Sequence, residues 1–275
     1  MDQCGYYYHE LRSNPIITKL MIEIENLQKG FDGEEILKGI NYTFEKSKTN
    51  LIIGGSGSGK SVLLKCMLGL LTPEKGTIKY DGKPYSEFTE DEKKDLSKQI
   101  GMIFQGGALF DSMTVEENVM FPLRMFTHRK KKKENQKRVK EVLKRVNLEG
   151  SEKKLPAEIS GGMQKRVSIA RAIVNRPKYL FCDEPNSGLD PKTATIIDNL
   201  IQEITHEYDI TTIIITHDMN SVLEIGENIA FLKDGVLAWK GDKSQIFQTD
   251  DETVVDFVYS SNLFQKVREA QQKGL

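Results

Sequence analysis

The sequence is poor in cysteine and lacks a long apolar run. Its three cysteines, Cys4, Cys66 and Cys182, are far apart and show no paired-ligand spacing, which argues against a zinc site and indicates a reducing compartment. No segment approaches the roughly 18 consecutive apolar residues that a membrane helix needs, and the N-terminus lacks a basic-then-apolar signal pattern. We therefore expect a cytoplasmic protein that approaches a membrane, if it serves one, only from the side.

The chain also lacks an excess of charge of either sign. Lysine and arginine number 39 against 40 aspartate and glutamate, a formal net charge of -1. This balance argues against nucleic acid or an anionic surface as the main partner. The basic block Arg129 to Lys133 is a local exception, which we interpret as a solvated helix start, with contact to anionic lipid headgroups as the alternative.

Short β-branched runs alternate with helical stretches along most of the chain. The strand signals are Leu51 to Ile53, Ile100 to Phe104, Tyr179 to Cys182 and Thr211 to Ile215. This alternation predicts an α/β fold with a mostly parallel sheet. The region Val115 to Val174 is too long for a simple crossover and predicts an inserted helical subdomain, at about residues 106–175.

The two ends of the chain differ from its middle. Residues 1–20 show no sustained period, whereas Met21 opens an alternating strand pattern, so an ordered domain is expected over residues 21–241. Residues 1–20 are then an extension that is either disordered or upstream of the true start at Met21. Residues 242–275 are predicted to form a C-terminal helical extension that packs on its own domain, with coverage of a neighbouring subunit as the alternative.

A glycine-rich loop follows the strand at Leu51 and precedes a helical stretch. It consists of Gly54, Gly55, Ser56, Gly57, Ser58, Gly59, Lys60 and Ser61. The pattern G-x-x-x-x-G-K-S between a strand and a helix predicts a phosphate-binding loop at a helix N-terminus. Lys60 is the candidate ligand of the β- and γ-phosphates, and Ser61 is a candidate Mg²⁺ ligand.

Two later strands also end in polar residues. Asp183 and Glu184 close the apolar strand that begins at Tyr179, and His217 follows the strand at Thr211. Asp183 is a candidate Mg²⁺ ligand, and Glu184 is the candidate group that polarises the attacking water. His217 is expected near the γ-phosphate, where an imidazole would help to orient that water. We interpret Cys182 as a small buried hydrophobic residue.

One further string identifies a family. Ile159, Ser160, Gly161, Gly162 and Met163 open a helix and resemble the signature motif of ABC ATPases, usually written LSGGQ. The resemblance covers about residues 21–241 and implies a P-loop NTPase core, an antiparallel β-subdomain and an inserted helical subdomain. It implies ATP and Mg²⁺ as ligands and a head-to-tail dimer, in which Ser160, Gly161 and Gly162 of one copy close over the phosphates held by Lys60 of the other.

The same resemblance assigns three more positions. Gln105 matches the Q-loop glutamine, which senses Mg²⁺ and the attacking water, and therefore counts both as a catalytic residue and as a metal ligand. Asp190, in Ser187-Gly188-Leu189-Asp190, matches the D-loop that crosses the dimer interface. Phe31 matches the aromatic residue that stacks on adenine, with a plain loop aromatic as the alternative.

The single set of motifs favours transport over other ABC functions. Translation-type relatives carry two nucleotide domains in one chain, and chromosome and repair relatives insert a long coiled coil for which the stretch from Lys60 to Ser160 has no heptads. A binding module without turnover would need loss of Glu184 or His217. We therefore expect an ATPase subunit at the cytoplasmic face of the inner (plasma) membrane, attached through a permease.

The segment from Phe104 to Val119 resembles ATPases of the MCE-associated, Mla-type phospholipid systems, with amino-acid or other small-solute importers as the alternative. The resemblance implies an integral membrane permease, an MCE-domain protein and a small regulatory subunit as partners, and no nucleic acid. Its apolar residues Leu109, Phe110, Met113 and Phe121 are expected to line the groove that receives a permease helix, with core packing as the alternative.

Overall fold

The computed structural model of the chain describes residues 21–126 and 132–259. The strands are β1 (Ile22–Phe31), β2 (Glu34–Phe44), β3 (Thr49–Ile53), β4 (Lys75–Tyr80), β5 (Lys83–Pro84), β6 (Ile100–Ile103), β7 (Tyr179–Asp183), β8 (Thr211–Thr216), β9 (Asn228–Lys233) and β10 (Val236–Gly241). The α-helices are α1 (Lys60–Met67), α2 (Glu90–Lys98), α3 (Val115–Phe126), α4 (Lys132–Arg145), α5 (Gly161–Ile173), α6 (Pro191–Glu207), α7 (Met219–Ile225) and α8 (Glu252–Val258).

A four-stranded antiparallel sheet has the strand order β2-β1-β4-β5. β1 and β2 form a hairpin whose turn contains Asp32 and Gly33, with φ angles of 51° and 84°. Two consecutive positive φ angles suit the right-handed twist of a hairpin, and Asp-Gly adopts them at little cost. The sheet matches the antiparallel β-subdomain that the family resemblance implies.

A six-stranded sheet has the order β10-β9-β3-β8-β7-β6. Four of its neighbour pairs are parallel, and only β10 pairs antiparallel with β9. All residues of β3 and β8 are buried, which explains their nearly continuous β-branched and aliphatic composition. The predicted α/β fold with a mostly parallel sheet is therefore confirmed.

Apolar cores lie on both faces of this sheet. Leu51 and Ile53 belong to one core and Ile52 to the other, because successive side chains of a strand point to opposite faces. All three are 0% exposed, and each such side chain stabilises the fold by about 1.5–3 kcal/mol. The core therefore fixes the strands firmly, and the loops at their ends are free to carry chemistry.

Helices α3, α4 and α5 pack together within the predicted helical insertion. The apolar face of α4 is fully buried, with Val139, Val142 and Leu143 at 0% exposure. Arg138 of α4 donates hydrogen bonds to the carbonyl oxygens of Ile173 (3.0 Å) and Val174 (3.1 Å). These carbonyl groups lie at the C-terminal end of α5, where the helix dipole favours a cation. In the basic block, residues 129–131 lie outside the described residues, and the rest is exposed at the start of α4.

The loop before α3 is organised by one buried amide. Asn118 accepts a hydrogen bond from the backbone N–H of Phe110 (2.8 Å) and donates to the carbonyl oxygens of Phe110, Met113 and Thr114 at 3.0–3.1 Å. The side chain is 0% exposed, so these bonds satisfy a polar group that would otherwise be costly to bury. They fix the shape of residues 110–114.

The C-terminal part of the described chain packs on its own domain, as expected. Val254 and Val258 of α8 are buried, and the ring of Phe257 lies 4.9 Å from that of Phe231. The expectation for residues 1–20, and that for residues 260–275 of the predicted C-terminal extension, lie outside the described residues. Within residues 21–126 and 132–259, no helix is both long and apolar enough to span a bilayer.

Candidate functional site

The glycine-rich loop connects the buried strand β3 to α1. Gly54, Gly57 and Gly59 have φ angles of 152°, 78° and 100°, which L side chains rarely adopt. A Cβ atom at Gly54 would also lie 2.2 Å from the carbonyl oxygen of Leu232. The loop therefore needs glycine for its path, and it delivers the unpaired N–H groups of the first turn of α1 to the carboxyl edge of the sheet.

Lys60 begins α1 and carries the positive charge of this loop. Its Nζ donates hydrogen bonds to the carbonyl oxygens of Gly54 (2.8 Å) and Gly55 (2.7 Å). Burial lowers the pKa of Lys60, whereas the negative charges of Glu184 and Asp183 act to raise it. The ammonium group is thus held at the loop, within electrostatic reach of both acids.

Parallel pairing brings the predicted strand-end residues to one edge of the sheet. Ile53 pairs with Thr216, and Asp183 pairs with Ile215. The glycine-rich loop, Asp183 and Glu184, and His217 therefore leave neighbouring strands side by side. Gln105 follows β6, the strand next to β7, at the same edge.

Glu184 is held in an unusual backbone conformation at this edge. Its φ angle is 46°, in the left-handed region where non-glycine residues are uncommon, and its N–H donates to the carbonyl oxygen of Ile215 at 2.9 Å. The carboxylate Oε1 lies 2.7 Å from Nδ1 of His217, and the hydroxyl of Thr216 donates to Oε2 at 3.4 Å. The acid is therefore fixed on both sides and paired with the predicted histidine.

Asp183 lies beside the same lysine. Burial raises the pKa of its carboxyl group, and the charges of Lys60 and Lys65, both on α1, oppose that rise. Asp183 and Ser61, in the first turn of α1, supply hard oxygen ligands of the type that Mg²⁺ prefers. Within the described ranges, no three His, Cys, Asp or Glu side chains cluster in a way that could hold a metal ion.

Gln105 extends over the turn that follows Glu184. Its Nε2 lies 3.5 Å from the hydroxyl oxygen of Ser187, and its side chain is exposed. The backbone carbonyl of Gln105 accepts a hydrogen bond from Nζ of Lys165. Burial lowers the pKa of Lys165, and the charge of Glu184 opposes this shift. The side chain of Gln105 thus contacts the turn that follows Glu184, and its predicted role toward Mg²⁺ and the attacking water stays a prediction.

One face of α5 holds the backbone that follows Gln105. The hydroxyl of Ser168 donates to the carbonyl oxygen of Gly107 at 3.0 Å. The guanidinium group of Arg171 donates to the carbonyl oxygens of Gly107 and Ala108, both at 2.7 Å. We call Lys165, Ser168 and Arg171 the loop clamp, because together they hold residues 105–108 against the helix that begins at Ser160.

The loop clamp and Thr216 were absent from the sequence-based site. Lys165, Ser168 and Arg171 recur at intervals of three residues on α5, which places them roughly on one face of the helix. That spacing was a usable signal for a buried polar face. Thr216 lay one residue before His217 and was passed over because threonine is also an ordinary strand residue.

The predicted signature residues make their contacts away from the glycine-rich loop. Ser160 caps α5 by accepting a hydrogen bond from the N–H of Met163 at 3.3 Å. Cβ atoms built on Gly161 and Gly162 would lie 3.8 Å from Leu189 and 2.8 Å from Thr193. These neighbours belong to the D-loop and α6. Ser160 is exposed at this helix N-terminus, the kind of position that favours an anion.

Asp190 and Phe31 have local contacts of their own. Asp190 caps α6 by accepting from the N–H of Thr193 at 3.0 Å, and its hydrogen bonds with Thr193 lower the pKa of its carboxyl group. Phe31 ends β1 with 43% of its surface exposed, and Nζ of Lys29 lies 5.0 Å from the centre of its ring. Their proposed contacts with a partner subunit and with adenine would be additional to these.

An apolar groove lies beside residues 104–110. The cavity of about 560 Å³ includes Phe104, Phe110, Phe121, Met125 and Phe126 among its lining residues, together with Arg171 of the loop clamp. The first five are between 40% and 62% exposed, except Phe121, whose ring packs 4.7 Å from that of Phe110.

Only part of the predicted groove lining is found there. Phe110 and Phe121 face the cavity as expected, while Leu109 packs against the main apolar core. Met113 is not among the residues that line the groove. The loop held by Asn118 turns these two side chains in other directions, and a linear pattern does not encode such a turn.

Comparison with known proteins places these features in one family. The family model described as ABC transporter matches residues 37–187. The chain is 40% identical over 239 residues to the probable ribonucleotide transport ATP-binding protein mkl of Mycobacterium tuberculosis, covering 86% of this chain and 66% of the relative. It is 39% identical over 227 residues to the methionine import ATP-binding protein MetN of Clostridium tetani, covering 82% and 71%. The chain thus spans about two thirds of the length of these relatives.

Solved structures show the same architecture. The cbiO1 protein of Clostridium perfringens, described as part of the ABC transporter complex cbiONQ, has a TM-score of 0.79 and 31% identity, over 91% of this chain and 99% of that one. A dimeric ATP-binding cassette in a post-hydrolysis state, bound to ADP and Pi, has a TM-score of 0.71 and 32% identity, over 81% and 98%.

The loop clamp gives a prediction about backbone dynamics. Arg171→Met removes two hydrogen bonds from a charged donor, each worth about 1.5–3 kcal/mol, and should free residues 105–110 from α5. Amide hydrogen exchange in this segment should accelerate by about tenfold or more. Arg145→Met is a matched control, since Arg145 pairs with Glu203 and Glu207 on the other side of the helical segment. Equal exchange of residues 105–110 in both variants would contradict the clamp.

Proposed function

Since the chain belongs to the ABC transporter family and carries that family's ATPase domain, we propose that it hydrolyses ATP as the nucleotide-binding subunit of a membrane transporter. The convergence of Lys60, Asp183, Glu184 and His217 at one edge of the sheet is the observation that carries the proposal. It combines an anion-binding helix start, two acids and an imidazole within mutual electrostatic reach.

The residues divide the work of hydrolysis. The loop from Gly54 to Gly59 cradles the phosphates, and Lys60 neutralises the charge that develops on the γ-phosphate. Glu184 orients and polarises the attacking water, while His217, 2.7 Å from Glu184, fixes the carboxylate and contacts the phosphate. Gln105 reaches the same water from the neighbouring strand end. Phe31 stacks on adenine and adds modestly to affinity.

Magnesium fits the oxygen ligands at this edge. Ser61, Asp183 and Gln105 are the residues that would hold it, and the ion when bound would neutralise the charge on the β- and γ-phosphates. Asp183 suits that role because Lys60 and Lys65 favour its ionised form despite its burial.

A second copy of the chain completes each site in this proposal. Gly161 and Gly162 face D-loop and α6 residues within their own chain, and Ser160 at the start of α5 is exposed. An exposed helix N-terminus with a serine cap suits the γ-phosphate of ATP held by another subunit. The dimeric cassette with ADP and Pi among the structural neighbours supports pairing of two copies. In the proposed head-to-tail arrangement, Asp190 and its loop would lie at the interface.

The apolar groove is the proposed seat of the permease. Phe104, Phe110, Met125 and Phe126 expose 40–62% of their surface around one cavity, which suits the apolar face of a partner helix. This arrangement would hold the subunit at the cytoplasmic face of the inner membrane. The neighbour described as part of the transporter complex cbiONQ supports attachment to other subunits.

The cargo we propose is a phospholipid, moved by an Mla-type system with an MCE-domain protein and a small regulatory subunit. The support is the segment from Gln105 to Phe110, which borders the groove and resembles that of Mla-type ATPases. A small solute is the second candidate, because relatives of nearly equal identity are named for ribonucleotide transport and methionine import. Overall sequence identity therefore does not distinguish between these cargoes, whereas the identity of the permease that the chain contacts should distinguish them.

Glu184→Gln tests the catalytic assignment. The amide keeps the shape of the side chain but is a far weaker base, so the turnover number should fall by about a hundredfold or more while ATP binding stays within threefold. Steady-state phosphate release and binding of a fluorescent ATP analogue measure the two effects. Glu207→Gln, a surface acid paired with Arg145, is the control and should keep normal turnover. Normal turnover in Glu184→Gln would remove the residue from this role.

Composite sites predict complementation between two inactive subunits. Lys60→Ala and Ser160→Arg should each be inactive alone, because every dimer then lacks a required group in both sites. In an equal mixture about half the dimers are mixed, and each has one site with both groups intact, so roughly a quarter of normal activity should return if the sites act independently. Mixtures that regain no activity, or regain all of it, would contradict sites shared between subunits.

Isolation of the complex from native membranes tests the cargo. A tagged chain should bring down its permease, an MCE-domain protein and phospholipid, identified by mass spectrometry. Phe110→Asp, which places a charge in the groove, should lose these partners but still bind ATP. Leu70→Asp is the control, because Leu70 is 70% exposed and lies outside the groove. Recovery of a solute-binding protein of an importer would overturn the phospholipid proposal.

A further inference from the structure

Three buried polar side chains from three elements meet behind the candidate site. Asp198 of α6 accepts hydrogen bonds at Oδ2 from Asn186 Nδ2 (3.1 Å) and from the hydroxyl of Ser221 on α7 (2.7 Å). Asn186 also donates to the hydroxyl oxygen of Ser221 at 2.8 Å. The three side chains are between 1% and 6% exposed, so their mutual bonds replace water. We call them the buried triad.

The buried triad joins the two segments that carry the Glu184–His217 pair. Asn186 lies two residues after Glu184, in a turn closed by a hydrogen bond from the N–H of Ser187 to the carbonyl oxygen of Glu184 at 3.2 Å. Ser221 lies four residues after His217, on the helix that Asp218 caps. Through Asn186 and Ser221, Asp198 therefore links the turn that follows Glu184 to α7, the helix that follows His217.

Packing alone does not explain a buried aspartate at position 198. Its Oδ1 has no hydrogen-bond partner within residues 21–126 and 132–259, although the side chain is only 2% exposed. A buried carboxylate with one unpaired oxygen is costly, and an apolar residue would satisfy packing alone more cheaply. Asp198 also lines a cavity of about 730 Å³ with Glu184 and His217, which connects the triad to the site.

We propose that Asp198 is a positioning residue for ATP hydrolysis. It holds α7, the helix that follows His217, and the turn that follows Glu184 in the relative placement that the Glu184–His217 contact requires. This inference rests on the proposed ATPase function. Asp198 acts through Asn186 and Ser221 and contacts no residue of the glycine-rich loop through its hydrogen bonds. Its loss should therefore lower the turnover number and leave ATP affinity nearly unchanged.

The charge of Asp198 should matter for this role. Burial raises the pKa of Asp198 to about 6, the negative charges of Asp218 and Glu224 on α7 add to the rise, and the bonds from Ser221 and Asn186 oppose it. Cys182 of β7 faces the same carboxylate, which adds to the effect of burial in raising the pKa of that thiol. Above pH 6 the ionised group accepts two strong bonds, and below pH 6 the neutral acid accepts weaker ones.

The test compares wild type with Asp198→Asn, whose side chain has the same shape but no charge at any pH. The ratio of wild-type to variant turnover number should be near 1 at pH 5 and at least threefold at pH 8, with ATP affinity equal within twofold at each pH. Asp198→Asn leaves the residue types of the Glu184–His217 pair unchanged, so both proteins carry the same catalytic groups. Thermal unfolding confirms that both proteins are folded at the assay temperature.

Thr205→Val is the matched control. Thr205 lies on the same helix, is 0% exposed and shares a 2.6 Å hydrogen bond with Thr212, but it contacts neither α7 nor the turn after Glu184 through its hydrogen bonds. Its turnover ratio to wild type should be the same at pH 5 and pH 8. A ratio for Asp198→Asn that is equally independent of pH would overturn the inference. Absence of ATP hydrolysis by the wild-type protein would instead refute the proposed function.

Discussion

The parallel pairing of β3, β8, β7 and β6 is the constraint on which the rest of the site depends. Parallel strands end at the same edge, so three short segments far apart in sequence must emerge side by side. Because the strands are buried on both faces, a one-residue slip of register would move each side chain of a strand into the opposite core, where it does not fit the existing packing. The chemistry at Lys60, Glu184 and His217 is thus positioned by hydrophobic packing several residues away.

This constraint explains why much of the fold and the centre of the site were predictable. The strand signals and the residues directly after them are local in sequence, and parallel ends meet whatever lies between them. The conformation of Glu184 was not predictable, because nothing in the residue type indicates a φ angle of 46°. The angle accompanies a hydrogen bond from its N–H to the carbonyl oxygen of Ile215 on β8, a contact between distant segments of the chain.

Residues that act across elements escaped prediction for a physical reason. Arg171 reaches Gly107 and Ala108, and Asp198 reaches Asn186 and Ser221, only because helices rotate to particular faces when they pack. In the sequence both look like polar residues on amphipathic helices, where a solvated position is the ordinary outcome. Burial distinguishes Asp198, and hydrogen bonds to a distant backbone segment distinguish Arg171; both are properties of the whole fold.

Electrostatic interactions with Glu184 link Lys60, which was predicted from the sequence, to Lys165 of the loop clamp, which was not. Lys60 and Lys165 are both partly withdrawn from water, burial lowers the pKa of each, and the charge of Glu184 acts against that shift in both. One carboxylate therefore stabilises the cation of the phosphate loop and the cation that holds Gln105. A change in the charge around Glu184 would therefore alter the electrostatic energy of Lys60 and of Lys165 together, and so affect both the glycine-rich loop and residues 105–108.

The loop clamp extends this linkage to the surface. Arg171 lines the apolar groove and also holds the carbonyl groups that follow Gln105, so a helix seated in the groove would lie against a residue that fixes the loop. On the opposite side of Gln105, its side chain meets Ser187 in the turn that Asn186 anchors. A series of direct contacts therefore connects the apolar groove, residues 105–108, the turn that follows Glu184, and α7. The link between Gln105 and Ser187 is an exposed side-chain contact of 3.5 Å, whereas the links on either side of it are hydrogen bonds to backbone carbonyls or between buried side chains, so coupling between the groove and α7 depends on the position of the Gln105 side chain.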